Sequence, residues 1–126
     1  MNELPVLLVE DEVLVQDLIR EALEEAGYRV ISVEDARAAV SIIEQESGLA
    51  GMVTDINLGA GPQGWEIARA AREKHPNLPI VYVSGDSMHD WSSHGVPHSV
   101  MVPKPFANAQ IVVALAEMQD RPLSGV

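Results

Sequence analysis

The sequence predicts an α/β fold, a five-stranded parallel sheet with helices on both faces. Three observations predict it. Five short segments are apolar almost without interruption, as strands buried on both faces must be. Segments with apolar residues at helical spacing stand between them. Strand and helix alternate regularly, which leads to parallel strands joined by right-handed crossovers.

The elements follow in order. LPVLLVE (4–10) is the first strand. From Glu12 to Ala26, the residues Val15, Leu18, Ile19, Ala22 and Ala26 form a helical stripe that Gly27 stops. RVISV (29–33), rich in β-branched residues, is the second strand. Between Asp35 and Ser47, Ala36, Ala39, Val40 and Ile43 repeat the stripe, with Asp35 as its cap. LAGMVTD (49–55) is the third strand, and GWEIARAAREKH (64–75) is helical until Pro76. LPIVYVSG (78–85) and SVMVP (99–103) are the fourth and fifth strands. The interval 85–98 holds Gly85, Gly95, Pro97 and several Ser and Asp, so an irregular or short fourth helix is expected there, around Ser87–Ser93 at most. Asn108 caps a last helix carrying Ile111, Val112, Leu115 and Met118. No repeat or linker divides the chain. Residues 1–126 therefore read as one domain, with its core at 4–119 and a tail at 120–126.

Composition excludes several function classes. The apolar content of 47% and charged content of 21% are ordinary for a globular chain. With no cysteine, neither a disulfide framework nor a thiolate metal site can form. The chain has no apolar run of transmembrane length and no signal-peptide pattern, so a cytoplasmic location away from membranes is expected. The net charge is −11, with only eight Lys and Arg, which argues against nucleic acid as a partner.

Four of the five strands deliver a polar group to the carboxyl edge, where sites of such sheets lie. The first ends in Glu10 and Asp11, the third in Asp55, the fourth in Ser84 and the fifth in Lys104. Three carboxylates brought together repel one another unless one protonates or a cation neutralises them. Mg²⁺ suits such an oxygen donor set. One carboxylate then remains as a nucleophile that can form an aspartyl-phosphate, with Lys104 and Ser84 stabilising the transferred group.

LLVEDE, VTDINL, VYVSGD and VPKPF, each closing a strand, make the chain resemble the receiver domain of two-component response regulators over residues 4–119. The resemblance implies a flavodoxin-like, doubly wound sheet of order 2-1-3-4-5. It implies that Asp55 is the phosphoacceptor, charged by a sensor histidine kinase or a histidine phosphotransfer protein. Asp11 and Asp55 would bind Mg²⁺ together with the backbone carbonyl of Asn57, and Glu10 would act through water. Ser84 matches the switch hydroxyl and Lys104 the lysine that pairs with the phosphoryl group. Pro105 matches a proline that follows a cis peptide bond and aims that lysine. Met101 stands at a switch position that is usually aromatic. The stretch 85–98 lacks the usual fourth-helix pattern. The loop NLGAGPQG (57–64) runs one residue longer than common and lacks the usual proline after the acceptor.

The chain ends just after the last helix, so a stand-alone receiver is expected, a monomer or weak homodimer. It would work by phosphorylation-dependent partner binding or onward phosphotransfer rather than as an enzyme, and would lose its phosphoryl group slowly. Because Met101 is a flexible lever, the output is expected as an order change in 85–98.

Two other functions are compatible with parts of the pattern. A small hydrolase working through an aspartyl-phosphate would want a second Asp where Asn57 stands. A degenerate receiver that only binds would not need Asp11, Asp55 and Lys104 intact. Individual residues also have plainer readings. Glu10, Asp11 and Glu12 suit a helix's first turn by charge. His89, His94 and His98 read as solvated loop residues rather than zinc ligands, and Trp65 and Trp91 as rings packed on the body. GAGPQG (59–64) lacks the Lys and Ser/Thr of a P-loop, and its glycines are expected to permit unusual backbone angles.

Overall fold

A computed structural model describes residues 4–58, 63–84, 95–103 and 108–119. The expected elements at Ser87–Ser93, the residues Lys104, Pro105, Trp91, His89 and His94, and the tail from 120 onward lie outside the described residues.

The chain runs β1 (Pro5–Val9), α1 (Val13–Glu25), β2 (Arg29–Val33), α2 (Ala36–Gln45), β3 (Gly51–Asp55), α3 (Gly64–Lys74), β4 (Ile80–Ser84), β5 (Ser99–Pro103) and α4 (Asn108–Gln119). The strands form one parallel sheet in the order β2-β1-β3-β4-β5. This is the doubly wound order, with its reversal between β1 and β3.

Side-chain alternation sorts the core into two layers. Val6, Leu8, Val53, Val81, Val83 and Val102 meet Ile19 and Leu23 of α1 and Ile111 and Leu115 of α4. Leu7, Val9, Met52, Ile80 and Tyr82 face the other way, against Ala39 and Ile43 of α2 and Ile67, Ala68 and Ala71 of α3. Burial on both faces is why β1, β3 and β4 read as nearly unbroken apolar runs.

Local signals act as expected at two helix ends. Asp35 accepts from the Ala38 amide at 2.8 Å, closing the start of α2. Gly27 takes φ +98° just beyond α1, which costs glycine nothing. The α1 stripe needs correction. Leu23, rather than Leu18 or Ala26, is the second buried anchor beside Ile19, while Leu18 is 52% exposed and Ala26 is exposed. Ile19 and Leu23 are four residues apart and share one face, whereas Leu18 is turned about a quarter of a circle away. Among the described residues, no helix is long and apolar enough to cross a membrane.

Candidate functional site at the carboxyl edge

Adjacent parallel strands end at the same edge. Val9 pairs with Thr54, so the next residues, Glu10 and Asp55, leave the ladder side by side. Glu10, Asp11 and Asp55 each offer a carboxylate oxygen, and these oxygens lie within 4.8 Å of one another. Among the described residues this is the one cluster of three or more metal-ligating side chains. Glu10 is 1% exposed and Asp55 6%, while Asp11 is exposed. The cluster therefore has a buried floor and one carboxylate on the solvent side.

The backbone around the carboxylates is tied in several places. The Glu10 amide donates to Val33 O at 3.1 Å, and Glu10 Oε2 accepts from the Glu12 amide at 3.1 Å. Glu12 precedes α1 and makes no side-chain cap, so these carboxylates are not first-turn residues of the helix. Asp55 Oδ1 accepts from the Asn57 amide at 3.3 Å, and Asp55 O accepts from the Thr54 hydroxyl at 2.8 Å. The Asn57 backbone thus stands beside the Asp55 carboxylate.

Ser84 ends β4, one residue past Val83, the register partner of Asp55, and it is buried. Pro103 of β5 pairs with Ser84, and Lys104 is the next residue. Met101 lies two residues below that level, beside Tyr82, in the layer under α2 and α3. The aromatic ring absent from β5 is therefore present on the neighbouring strand. The Tyr82 hydroxyl accepts from the Val96 amide at 3.1 Å, and its ring meets Trp65 edge-on with centroids 4.6 Å apart. Trp65 packs on the core, as expected. His98 is exposed, with φ +58°, and joins no metal-ligating cluster among the described residues.

Three contributors were not visible as site residues in the sequence. A Cβ on Gly64 would lie 2.4 Å from Asp55 O and 2.8 Å from Ile56 Cα, both rigid backbone. The start of α3 can approach Asp55 only because residue 64 is glycine. Unusual backbone angles are not the reason at this position, since Gly27 is the only glycine with positive φ among the described residues. Gln63 accepts from the Leu58 amide at 2.9 Å and forms a capping box with Glu66, joining the two ends of the loop after Asp55. Its spacing to Glu66 is a legible helix-start signal. Gln16 is the third: its side-chain amide donates to Glu10 O at 2.9 Å and to Val33 O at 3.1 Å, and no sequence signal marks it.

The donor set suits a hard divalent cation. All three side chains are carboxylates, and a cation with high demand for oxygen and charge relieves their mutual repulsion.

The family description of the response regulator receiver domain matches residues 6–116. A crystal structure of a response regulator receiver protein from Sinorhizobium medicae WSM419 superposes with a TM-score of 0.91 at 36% identity, covering 94% of this chain and 96% of that one. The receiver domain of sensor histidine kinase PA1611 from Pseudomonas aeruginosa PAO1, a structure with a magnesium ion coordinated in its active site cleft, superposes at 0.80 with 25% identity, over 94% and 99%. The response regulator receiver protein CpdR of Brucella abortus is 32% identical over 80 residues, 64% of this chain and 65% of its own length. A transcriptional regulatory protein of Bacillus subtilis, YbdJ, is 26% identical over 91% of this chain and 50% of its own length. The chain spans half or less of the first curated relatives it matches.

Proposed function

We propose that this chain, which belongs to the response regulator receiver domain family, accepts a phosphoryl group on Asp55 from a phosphohistidine. Receiver domains are signalling modules rather than classical enzymes, and they pair with histidine kinases or phosphotransfer proteins. The observation that carries the assignment to Asp55 is the convergence of Glu10, Asp11 and Asp55 within 4.8 Å at the edge where Ser84 also ends.

In the proposed step an Asp55 carboxylate oxygen attacks phosphorus. The new O–P bond replaces the N–P bond of the donor imidazole, whose nitrogen keeps the electron pair. Asp11, Asp55 and the Asn57 carbonyl would hold Mg²⁺, with Glu10 at the cluster's buried side. Bound there, the ion supplies charge neutralisation for the phosphoryl oxygens. The Asn57 amide keeps Asp55 oriented. Ser84 would bond a phosphoryl oxygen after transfer, and Lys104 would pair with the new charge, aimed by Pro105. Met101 would take the place of the usual aromatic switch residue. Output would follow by altered binding of a protein partner or by onward transfer, with slow self-dephosphorylation.

Intact-mass measurement with acetyl phosphate and Mg²⁺ tests the reading. The expected result is one phosphoryl group per chain that depends on Mg²⁺ and is absent from Asp55→Asn. Sustained turnover of a generic phosphomonoester would point instead to a hydrolase.

A further inference from the structure

Glu10 lies beyond the last register pairs of β1, Val9 with Val33 on one side and Val9 with Thr54 on the other. No strand ladder therefore fixes the peptide that joins Glu10 to Asp11. A side chain from α1 reaches it instead. Gln16 Nε2 donates to Glu10 O at 2.9 Å and to Val33 O at 3.1 Å. Val33 O also accepts from the Glu10 amide at 3.1 Å. One primary amide has two hydrogens on nitrogen, and both are engaged. Gln16 itself is held, because its backbone N–H donates to Glu12 O at 2.9 Å in the first turn of α1.

The bond to Glu10 O has a particular consequence. That carbonyl belongs to the peptide unit whose nitrogen is Asp11 N, so orienting it sets the directions in which both Glu10 and Asp11 leave the strand. We infer that Gln16 is a positioning residue that places the Glu10–Asp11 pair for the cation. The inference rests on the metal reading given above. Groups that hold a metal's ligands from behind typically change affinity 10–100-fold when removed. A residue that merely joined α1 to the sheet would lower stability and leave the affinity alone.

The test is Mg²⁺ titration by calorimetry, alongside thermal unfolding without metal, on the full chain, Gln16→Met and Gln16→Asn. Methionine keeps the length and loses both donors. Asparagine keeps the amide but is one methylene short of the two carbonyls. The expected result is Mg²⁺ affinity weakened roughly 10-fold in Gln16→Met and less in Gln16→Asn. Phosphorylation should recover at saturating Mg²⁺. Should Gln16→Met fail to fold, Gln16→Asn decides alone. Unchanged Mg²⁺ affinity in a folded variant, whatever its melting temperature, overturns the role of Gln16 and leaves the metal reading intact. Absence of Mg²⁺ binding by the unsubstituted chain overturns both.

Discussion

At the amino edge of the sheet, basic and amide side chains reach backbone acceptors; at the carboxyl edge, carboxylates are gathered against one another. Arg72 of α3 donates to Leu78 O, Pro97 O and His98 O at 2.8, 2.6 and 2.9 Å. Lys74 and His75 meet Glu44 O and Ile43 O, two of the last-turn carbonyls of α2 that have no partner within their own helix. Gln119 joins Ala50 O to the Tyr28 hydroxyl. The bonds from Arg72 to Leu78 O and from His75 to Ile43 O are partly buried, where such a bond adds stability of about 0.5–1.5 kcal/mol, and the others lie on the exposed rim. The carboxyl edge is built differently, since carboxylates brought within 4.8 Å of one another repel where they are charged. One edge ties backbone groups together and the other gathers the carboxylates of the proposed site. Substitutions at the two edges should therefore separate stability from function.

The largest expected effect is at Asp55. Asp55→Asn should abolish phosphoryl labelling, because an amide cannot act as the oxygen anion. It should also leave the melting temperature unchanged or higher, because one of three clustered charges is gone. A variant that still labels would break the assignment, and one that melts well below the parent would break the contrast between the edges.

Gly64→Ala comes next. The added Cβ meets Asp55 O and Ile56 Cα, neither of which can rotate away. Chemical denaturation should show a loss of about 1–3 kcal/mol, as for other overpacked sites. Labelling should slow as well, because the start of α3 must shift beside the acceptor. Full stability and full labelling together would refute the close approach.

Arg72→Met tests the opposite edge. Three carbonyls lose a donor, and the expected loss is about 1–3 kcal/mol. The labelling rate at saturating Mg²⁺ should stay at the parent value. A slowed rate would show that the two edges are coupled.

The smallest effect is a pH dependence. Burial, the largest influence, raises the Tyr82 hydroxyl above its ordinary value of 10.0. The unfolded chain therefore releases this proton first. The stabilising contribution is complete below pH about 10 and is lost as pH climbs towards the raised folded value. Tyr82→Phe should flatten this part of the alkaline decline in urea melts, and an unaltered decline would exclude Tyr82 as its source. At neutral pH the same variant should lose about 1 kcal/mol, because the Val96 amide no longer has the hydroxyl to donate to.

The sequence by itself determined the strands and the carboxylates at their ends. Strands buried on both faces must be apolar throughout, and the run stops where a carboxylate begins, so Glu10, Asp11 and Asp55 stand out by position alone. Asp35 and Gly27 were legible for a local reason, since a cap or a left-handed turn involves only the residues next to it. The tertiary structure alone decided which face of α1 is buried, why residue 64 is glycine, and what Gln16 does. Leu18 and Leu23 are equally apolar, and only the position of the sheet chooses between them. Gly64 read as one of the glycines expected to permit unusual backbone angles, but the constraint is the backbone of β3 2.4 Å from its absent Cβ. Gln16 reads as a solvated polar position on an amphipathic helix. Its partners are main-chain carbonyls, one of them 17 residues away, and every residue carries such a carbonyl, so no side-chain pattern can announce the contact.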